Sequence, residues 1–413
     1  MTSKRYVTVN VVLVTLLVLV GYLFKIDNKE VEFETGQNFT VRVQNLGYSA
    51  EEHRIVTQDG FILKMFRMRQ KKCLDKIVKV PVILQHGLVM SADVWLDSGP
   101  DTALAYRLAD ACFDLWFGNS RGNYYSREHT TLDPDADPEY WQWSVDEMGK
   151  YDVPAAVDYV LKFTDSKKLN YIGYSQGSGS FFIMCSERPG YCEKVGVHIG
   201  LAPAARQTLT GSRTYRFLTK VFDVFHKILS SLNMNEILNR GGFGQTFLEH
   251  FCAINSFSKK LCIGGVAVLD SYHESSISYE TQQFMYKHFP AGTSVQNMAR
   301  YGQSMNVDKF VKFDFGSRKN LLVYGEENPP SHNLSAVTSP VYLIHGRRDQ
   351  LVDIKDVEWL QRKLPNVLGM HVLEDPHWNH MDMVFSKFVG QSLYPIVEKC
   401  LRQFSRKYFL KAH

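Results

Sequence analysis

The chain has 413 residues, with 47 Lys and Arg against 43 Asp and Glu and a net charge of +4. The length admits one large α/β domain with an insertion, or two domains. So small and dispersed a charge leaves no electrostatic footprint for nucleic acid, and seven cysteines, an odd number, keep at least one thiol out of any intrachain pair.

In chain order, Lys4 and Arg5 precede an apolar stretch from Val7 to Phe24. Its length lies between a signal-peptide core and a spanning helix. Leu19 stands two residues before Gly21, where a cleavage site wants a small side chain, so a cleaved signal peptide and an uncleaved, membrane-contacting anchor both stand. Either delivers the body to a lumen or to the outside, as a secreted, lysosomal or membrane-anchored protein. Residues 1–24 are read as this targeting segment and 25–45 as a stem. Asn38-Phe39-Thr40 and Asn333-Leu334-Ser335 are sequons that offer Asn38 and Asn333 for glycosylation.

From Arg54 to Arg67 polar and apolar residues alternate around Asp59-Gly60, the pattern of a hairpin. Val80 to Gln85 reads as a buried strand running into His86-Gly87-Leu88. A helix is predicted over Thr102 to Ala111, then a strand over Phe113 to Phe117. A long helix over Ser144 to Thr164 opens on a Ser144/Glu147 capping box. Leu169 to Tyr174 and Val195 to Leu201 are further strands. Strands alternating with helices predict a mostly parallel sheet with helices on both faces.

From about Gln207 to Lys309 that rhythm stops. Tyr215, Leu218, Phe222, Phe225 and Leu229 recur at helical spacing, and the region reads as an inserted helical cap. The cap is assigned to 207–316, between core segments 46–206 and 317–413. Cys252 and Cys262 bracket a short loop there and make the best disulfide candidate; Cys185 and Cys192 are near in sequence, but Cys185 on an apolar helix reads equally well as core. The βα rhythm returns with a strand over Val341 to His345, a helix over Ile354 to Lys363 and a last strand over Met370 to Leu373.

Two pentapeptides fit G-x-S-x-G, Gly118-Asn119-Ser120-Arg121-Gly122 and Gly173-Tyr174-Ser175-Gln176-Gly177. Each follows a strand-like run. Only the second is followed by small residues and then an apolar helix, the strand-turn-helix context of a nucleophile elbow. Ser175 is therefore the candidate nucleophile of a serine hydrolase, and Ser120 a structural position. Such a serine needs a base, an acid to orient it and donors for an oxyanion. Asp349, in the loop after Val341–His345, is the candidate acid. Asp353 competes but suits a helix N-cap. His377 and His380 are both available as base, and spacing does not separate them. Pro376 and the lack of a third nearby ligand argue against a metal site. The amides of Leu88 and Gln176 are the candidate oxyanion donors.

These residues sit among strings that resemble the acid lipases, the group that includes gastric and lysosomal lipases of animals. The strings are Leu46-Gly47-Tyr48, Leu84-Gln85-His86-Gly87-Leu88, Gly118-Asn119-Ser120-Arg121-Gly122-Asn123, Asp146-Glu147-Met148, Gly173-x-Ser175-Gln176-Gly177, Ala291-Gly292-Thr293-Ser294-Val295-Gln296-Asn297, Phe313-Asp314-Phe315-Gly316 and Asn379-His380-x-Asp382. The resemblance implies an α/β-hydrolase fold and a triad of Ser175, Asp349 and His380, which selects His380 over His377. It also implies oxyanion donors at Leu88 and Gln176, a Cys252–Cys262 disulfide in the cap, no cofactor, and a neutral-lipid ester substrate at a lipid–water interface. Tyr174 departs from the pattern, since family members often carry histidine there.

Overall fold

The computed structural model describes residues 38–73, 80–253 and 256–409, so the apolar segment near the N-terminus lies outside the described residues. No described helix is long and apolar enough to cross a membrane.

Strands β1 (Ser49–Val56) and β2 (Phe61–Arg69) form the predicted hairpin, with Val56 opposite Ile62. Pairing extends it beyond the alternating residues at both ends. β2 also pairs antiparallel with β4 (Leu115–Gly118), which lies parallel to β3 (Val82–Gln85). Beyond β3 come β6 (Leu169–Tyr174), β7 (Val195–Leu201), β10 (Val341–His345) and β11 (Val367–Val372), all parallel. The path is β1-β2-β4-β3-β6-β7-β10-β11, and the short β5 (Glu128–His129) pairs with β2. The short strands β8 (Glu236–Ile237) and β9 (Thr293–Ser294) make a separate pair, too brief to leave a periodic signal in the sequence.

Alternate residues of each parallel strand enter opposite apolar layers. Leu84, Ile172 and Ile344 face one, with Phe66, Trp378 and Leu401; Ile83, Tyr171 and Leu343 face the other, with Trp116, Phe181 and Phe182. This is why the strands read as continuous apolar runs.

Helix α1 (Phe39–Asn45) lies within the residues read as a stem, yet Phe39 and Val43 are fully buried and Phe39 stacks on Phe66 at 4.5 Å. α2 (Leu104–Asp110) is the helix predicted between β3 and β4. The long helix is interrupted. Its capping box at Ser144 and Glu147 forms and opens α3 (Val145–Glu147), a π-turn follows over Met148–Asp152, and α4 (Val153–Phe163) completes it. Pro154 has no N–H for an α-helical bond to Lys150, and the wider turn accommodates that loss. α5 (Gln176–Glu187) follows β6.

Between β7 and β10 the chain makes a helical insertion. It comprises α6 (Arg213–Ser231), α7 (Phe243–Ala253), α8 (Ser256–Leu269), α9 (Tyr279–His288), α10 (Val295–Ser304) and α11 (Ser317–Tyr324). α12 (Ile354–Lys363) joins β10 to β11, and α13 (Asp382–Phe385) and α14 (Tyr394–Phe409) end the fold. Disulfides join Cys73 to Cys112, Cys185 to Cys192 and Cys252 to Cys262, and Cys400 is a buried thiol. Cys185 is therefore a bridge partner as well as a core residue.

The string around Ser120 has a structural role. Arg121 is buried; its Nε and Nη2 donate to Asp152 Oδ1 at 2.8 and 2.6 Å, its backbone N–H donates to Asp152 Oδ2, and Nη1 reaches Asp59 Oδ2 at 2.7 Å. Arg121→Ala leaves the buried Asp152 carboxylate without its cation, and is expected to cost about 3–5 kcal/mol in urea unfolding. A loss below about 1 kcal/mol would contradict this account.

Candidate active site

β3 is flanked by β4 on one side and β6 on the other, so the sheet's order reverses there. In open parallel sheets a crevice forms at that point, beyond the strands' C-terminal ends. The end of β3 delivers His86-Gly87-Leu88 and the end of β6 delivers Ser175.

Ser175 has φ 52 and ψ −116, a backbone conformation that L-residues rarely hold. Its neighbours impose it. A Cβ on Gly177 would stand 2.3 Å from the Gln85 carbonyl oxygen, and one on Gly173 would stand 2.6 Å from the Ser178 nitrogen. Glycine at both positions lets α5 begin hard against β3 and β6. The Ser175 N–H donates to the Leu201 carbonyl at 2.9 Å, and the Ser175 carbonyl accepts from the N–H groups of Ser178, Gly179 and Ala204. The turn is thus held from three sides.

His86 pins the facing turn. One ring nitrogen, Nδ1, donates to the Gly87 carbonyl at 2.8 Å, and Nε2 accepts from the Ser120 N–H at 3.1 Å. That pair of bonds requires the neutral ring, and burial lowers its pKa to about 4. Ser120 Oγ accepts from Gln85 Nε2 at 2.9 Å, so this buried serine is engaged in supporting the same turn. Leu88 follows, half-buried. The Gln176 side chain is buried and accepts from Asn297 Nδ2 of α10 at 2.9 Å.

Asp349 and His380 are both buried and meet at 2.7 Å, His380 Nδ1 donating to Asp349 Oδ2. The other oxygen of Asp349 accepts from the N–H groups of Leu351 and Val352 at 3.0 and 2.8 Å, which fixes the carboxylate's plane. Burial would lower the His380 pKa, but the charge of Asp349 and the bond to it outweigh burial and raise it. His377 is exposed and its backbone N–H donates to Asp375, while Asp353 caps α12 by accepting from the Lys355 N–H. Neither competitor reaches the crevice pair. No hydrogen bond joins Ser175 Oγ to the His380 ring here, and such bonds commonly tighten only with substrate in place. No group of three or more His, Cys, Asp or Glu among the described residues forms a metal-binding cluster.

Three further residues converge on the site, none of them singled out in the sequence as a site residue. Asp382 accepts from the Asn379 N–H at 2.8 Å, Asp270 accepts from the His380 N–H at 2.7 Å, and Asn297 holds Gln176. Asn297 and Asp382 lie within strings quoted above for the family resemblance. Asp270 has no local signal, because its partners are 80 and 110 residues away.

Two family models match the chain: a partial alpha/beta-hydrolase lipase region over residues 39–99 and the alpha/beta hydrolase fold over 80–201. Lipase 1 of Drosophila melanogaster is 35% identical over 370 residues, covering 90% of this chain and 81% of that protein. Gastric triacylglycerol lipase of Bos taurus is 34% identical, covering 87% and 90%. The human lysosomal acid lipase/cholesteryl ester hydrolase is 33% identical, covering 91% and 93%. The chain belongs to the acid lipase family.

The sheet architecture of this family member also matches a solved hypothetical protein of Pseudomonas aeruginosa at a TM-score of 0.50 and 10% identity, covering 86% of this chain and 94% of that one, a likeness of fold alone. Against the family background, Tyr174 has a definite place. Its hydroxyl donates to the His380 carbonyl at 3.0 Å, its ring lies 5.1 Å from the His380 ring, and it closes on Gly87, where a Cβ would stand 3.2 Å away. One buried side chain therefore spaces the loop of His380 from the turn of Leu88. Tyr174→Phe leaves that buried carbonyl without this donor. It is expected to lower stability by about 1–3 kcal/mol in chemical denaturation while leaving the ring packing in place. An unchanged midpoint would show that the bond carries no weight.

Proposed function

We propose that this chain hydrolyses carboxylic esters of neutral lipids, triacylglycerols or sterol esters, through an acyl-enzyme on Ser175. The observation that carries the reading is the buried Asp349–His380 pair, 2.7 Å apart, on loops that open at the same sheet edge as the strained turn of Ser175. In the first step His380 takes the Ser175 proton as Oγ attacks the acyl carbonyl. Asp349 holds the ring in the tautomer that leaves Nε2 free to accept, and stabilises the imidazolium. The amides of Leu88 and Gln176 receive the oxyanion. His380 then protonates the departing alcohol, and the same base activates water to release the fatty acid.

The substrate class rests on the gastric and lysosomal relatives and on the helical insertion, which we read as a cap over the acyl site. On α6, Phe217, Val224 and Ile228 are 57%, 59% and 53% exposed, an apolar stripe suited to a lipid surface. Three disulfides fit an oxidising compartment, and Asn38 and Asn333 are exposed as glycosylation requires. We accordingly place the catalytic body in the secretory pathway, secreted or lysosomal.

Ser175→Ala is expected to abolish hydrolysis of long-chain glycerides and sterol esters in folded protein. His380→Ala should do the same, and His377→Ala should stay within about twofold of wild type, since an exposed side chain away from the pair is not asked to move a proton. Turnover by Ser175→Ala would sink the reading; turnover confined to short soluble esters would move it to a carboxylesterase. His380 must be neutral to act as base. Its pKa is raised, so kcat/KM should fall as pH drops through a value above the ordinary imidazole range. Asp349→Asn removes the charge that raises it. The acid limb should then move to lower pH, with a rate loss of up to about 10⁴.

A further inference from the structure

The segment that leaves α8 runs from Asp270 to Ser276 and is wedged between the loop that carries Asp349 and the loop that carries His380. Asp270 is buried, and its carboxylate touches both. One oxygen, Oδ1, accepts from the Gln350 N–H at 2.9 Å, next in sequence to Asp349. The other, Oδ2, accepts from the N–H groups of His380 and Met381 at 2.7 and 3.2 Å. The contacts around it point the same way. Ser271 Oγ donates to the Arg348 carbonyl and Asn379 Nδ2 donates to the Ser271 carbonyl, each at 2.7 Å. His273 pairs with Asp382 at 2.7 Å. At the start of the insertion, the N–H groups of Gly211 and Ser212 donate to the Gln350 carbonyl at 3.0 and 2.9 Å, and Ser212 Oγ donates to the Leu269 carbonyl. The start of the insertion and the linker between α8 and α9 therefore both close on the residue beside Asp349, and the linker also holds the backbone of His380.

A carboxylate is a costly way to join two loops. Burial and the neighbouring Asp349 charge raise the Asp270 pKa to about 7, against the opposing pull of His380 and the backbone donors. The titratable groups that face it are Asp349 on one loop and His380 on the other. Asp382 and His273 pair with each other beyond His380, and His345 Nε2 lies 3.5 Å from Asp349. A second negative group beside an acid–base pair is the kind of unfavourable placement that marks a working site.

We propose that Asp270 is a positioning residue: from the linker between α8 and α9 of the helical insertion it sets the Asp349 loop against the His380 loop, so that the acid–base pair is in register only while that linker is seated. The inference rests on the hydrolase reading of Ser175. It makes the insertion a part of the machinery that arms His380, in addition to any part it has in covering substrate. The Arg348 N–H also donates to the Trp378 carbonyl at 2.9 Å, so without Asp270 the two loops stay tied but can shift by fractions of an ångström, and misplacement of that order costs proton transfer far more than it costs substrate binding.

The full chain, as wild type, Asp270→Asn and Asp270→Ala, is compared by thermal melting, by the rate of labelling with a fluorophosphonate probe, and by kcat, KM and the pH profile on a short soluble ester. Asn keeps the volume and one acceptor oxygen but cannot accept on both sides. Both variants are expected to melt cooperatively. They should label roughly ten- to a hundredfold more slowly and lose kcat by a similar factor, with KM within about threefold. Removing a negative charge near His380 should also shift the acid limb of Asp270→Asn to lower pH, which a purely structural role would not do. Folded variants that label at the wild-type rate with an unmoved acid limb would overturn the inference. So would failure of both variants to fold, which would make Asp270 a structural tie alone. If only Asp270→Ala fails to fold, the labelling rate of Asp270→Asn decides. Folded wild type that resists the probe would instead sink the hydrolase reading beneath it.

Discussion

The first turn of α5 passes so close to the ends of β3 and β6 that no side chain fits at Gly177 or Gly173. That steric constraint is what the rest of the site depends on. It sets Ser175 at φ 52 and brings the start of α5 against the Gln85 and His86 carbonyls at the end of β3. A Cβ at either glycine would push α5 off the sheet and separate the parts. The strain stored at Ser175 is tolerated because the surrounding backbone over-determines it, with carbonyl and amide both bonded into β7 and α5.

Around this turn, buried charge is handled in a consistent way. Every charged group near the centre is matched by a partner or by backbone donors, since an unmatched one would be driven to its neutral form. Arg121 is shared by Asp152 and Asp59 under the loop of Ser120. Arg42 of α1 reaches Asp93 and Asp97 beyond the Leu88 turn, and His288 of α9 joins Asp97 there. His86 takes the other course and stays neutral. Its two ring nitrogens do opposite jobs, donor and acceptor, and that division would fail if the ring were charged.

The helical insertion is tied into the site at several points. Asn297 of α10 holds Gln176, His288 of α9 joins the cluster behind the Leu88 turn, and the segment after α8 reaches the loops of Asp349 and His380. Residues far apart in sequence therefore share one small volume. The core sheet supplies the rigid edge, and the insertion supplies much of the polar scaffolding that orients what stands on it.

The sequence by itself determined the strand-helix alternation, the capping box at Ser144 and the elbow context that separates Ser175 from Ser120. These depend on neighbours within a few residues, where periodicity, glycine and small residues act directly. It also exposed the candidate acid and both candidate bases, but spacing did not choose between His377 and His380. Only the tertiary structure did that geometrically, by turning His377 to solvent and burying His380 against Asp349 31 residues away. The same holds for the two-residue strands β8 and β9, the burial of Phe39 and the position of Asp270. Each is decided by partners distant in the chain or by elements too short to carry a period, and no local pattern encodes a contact made across the fold.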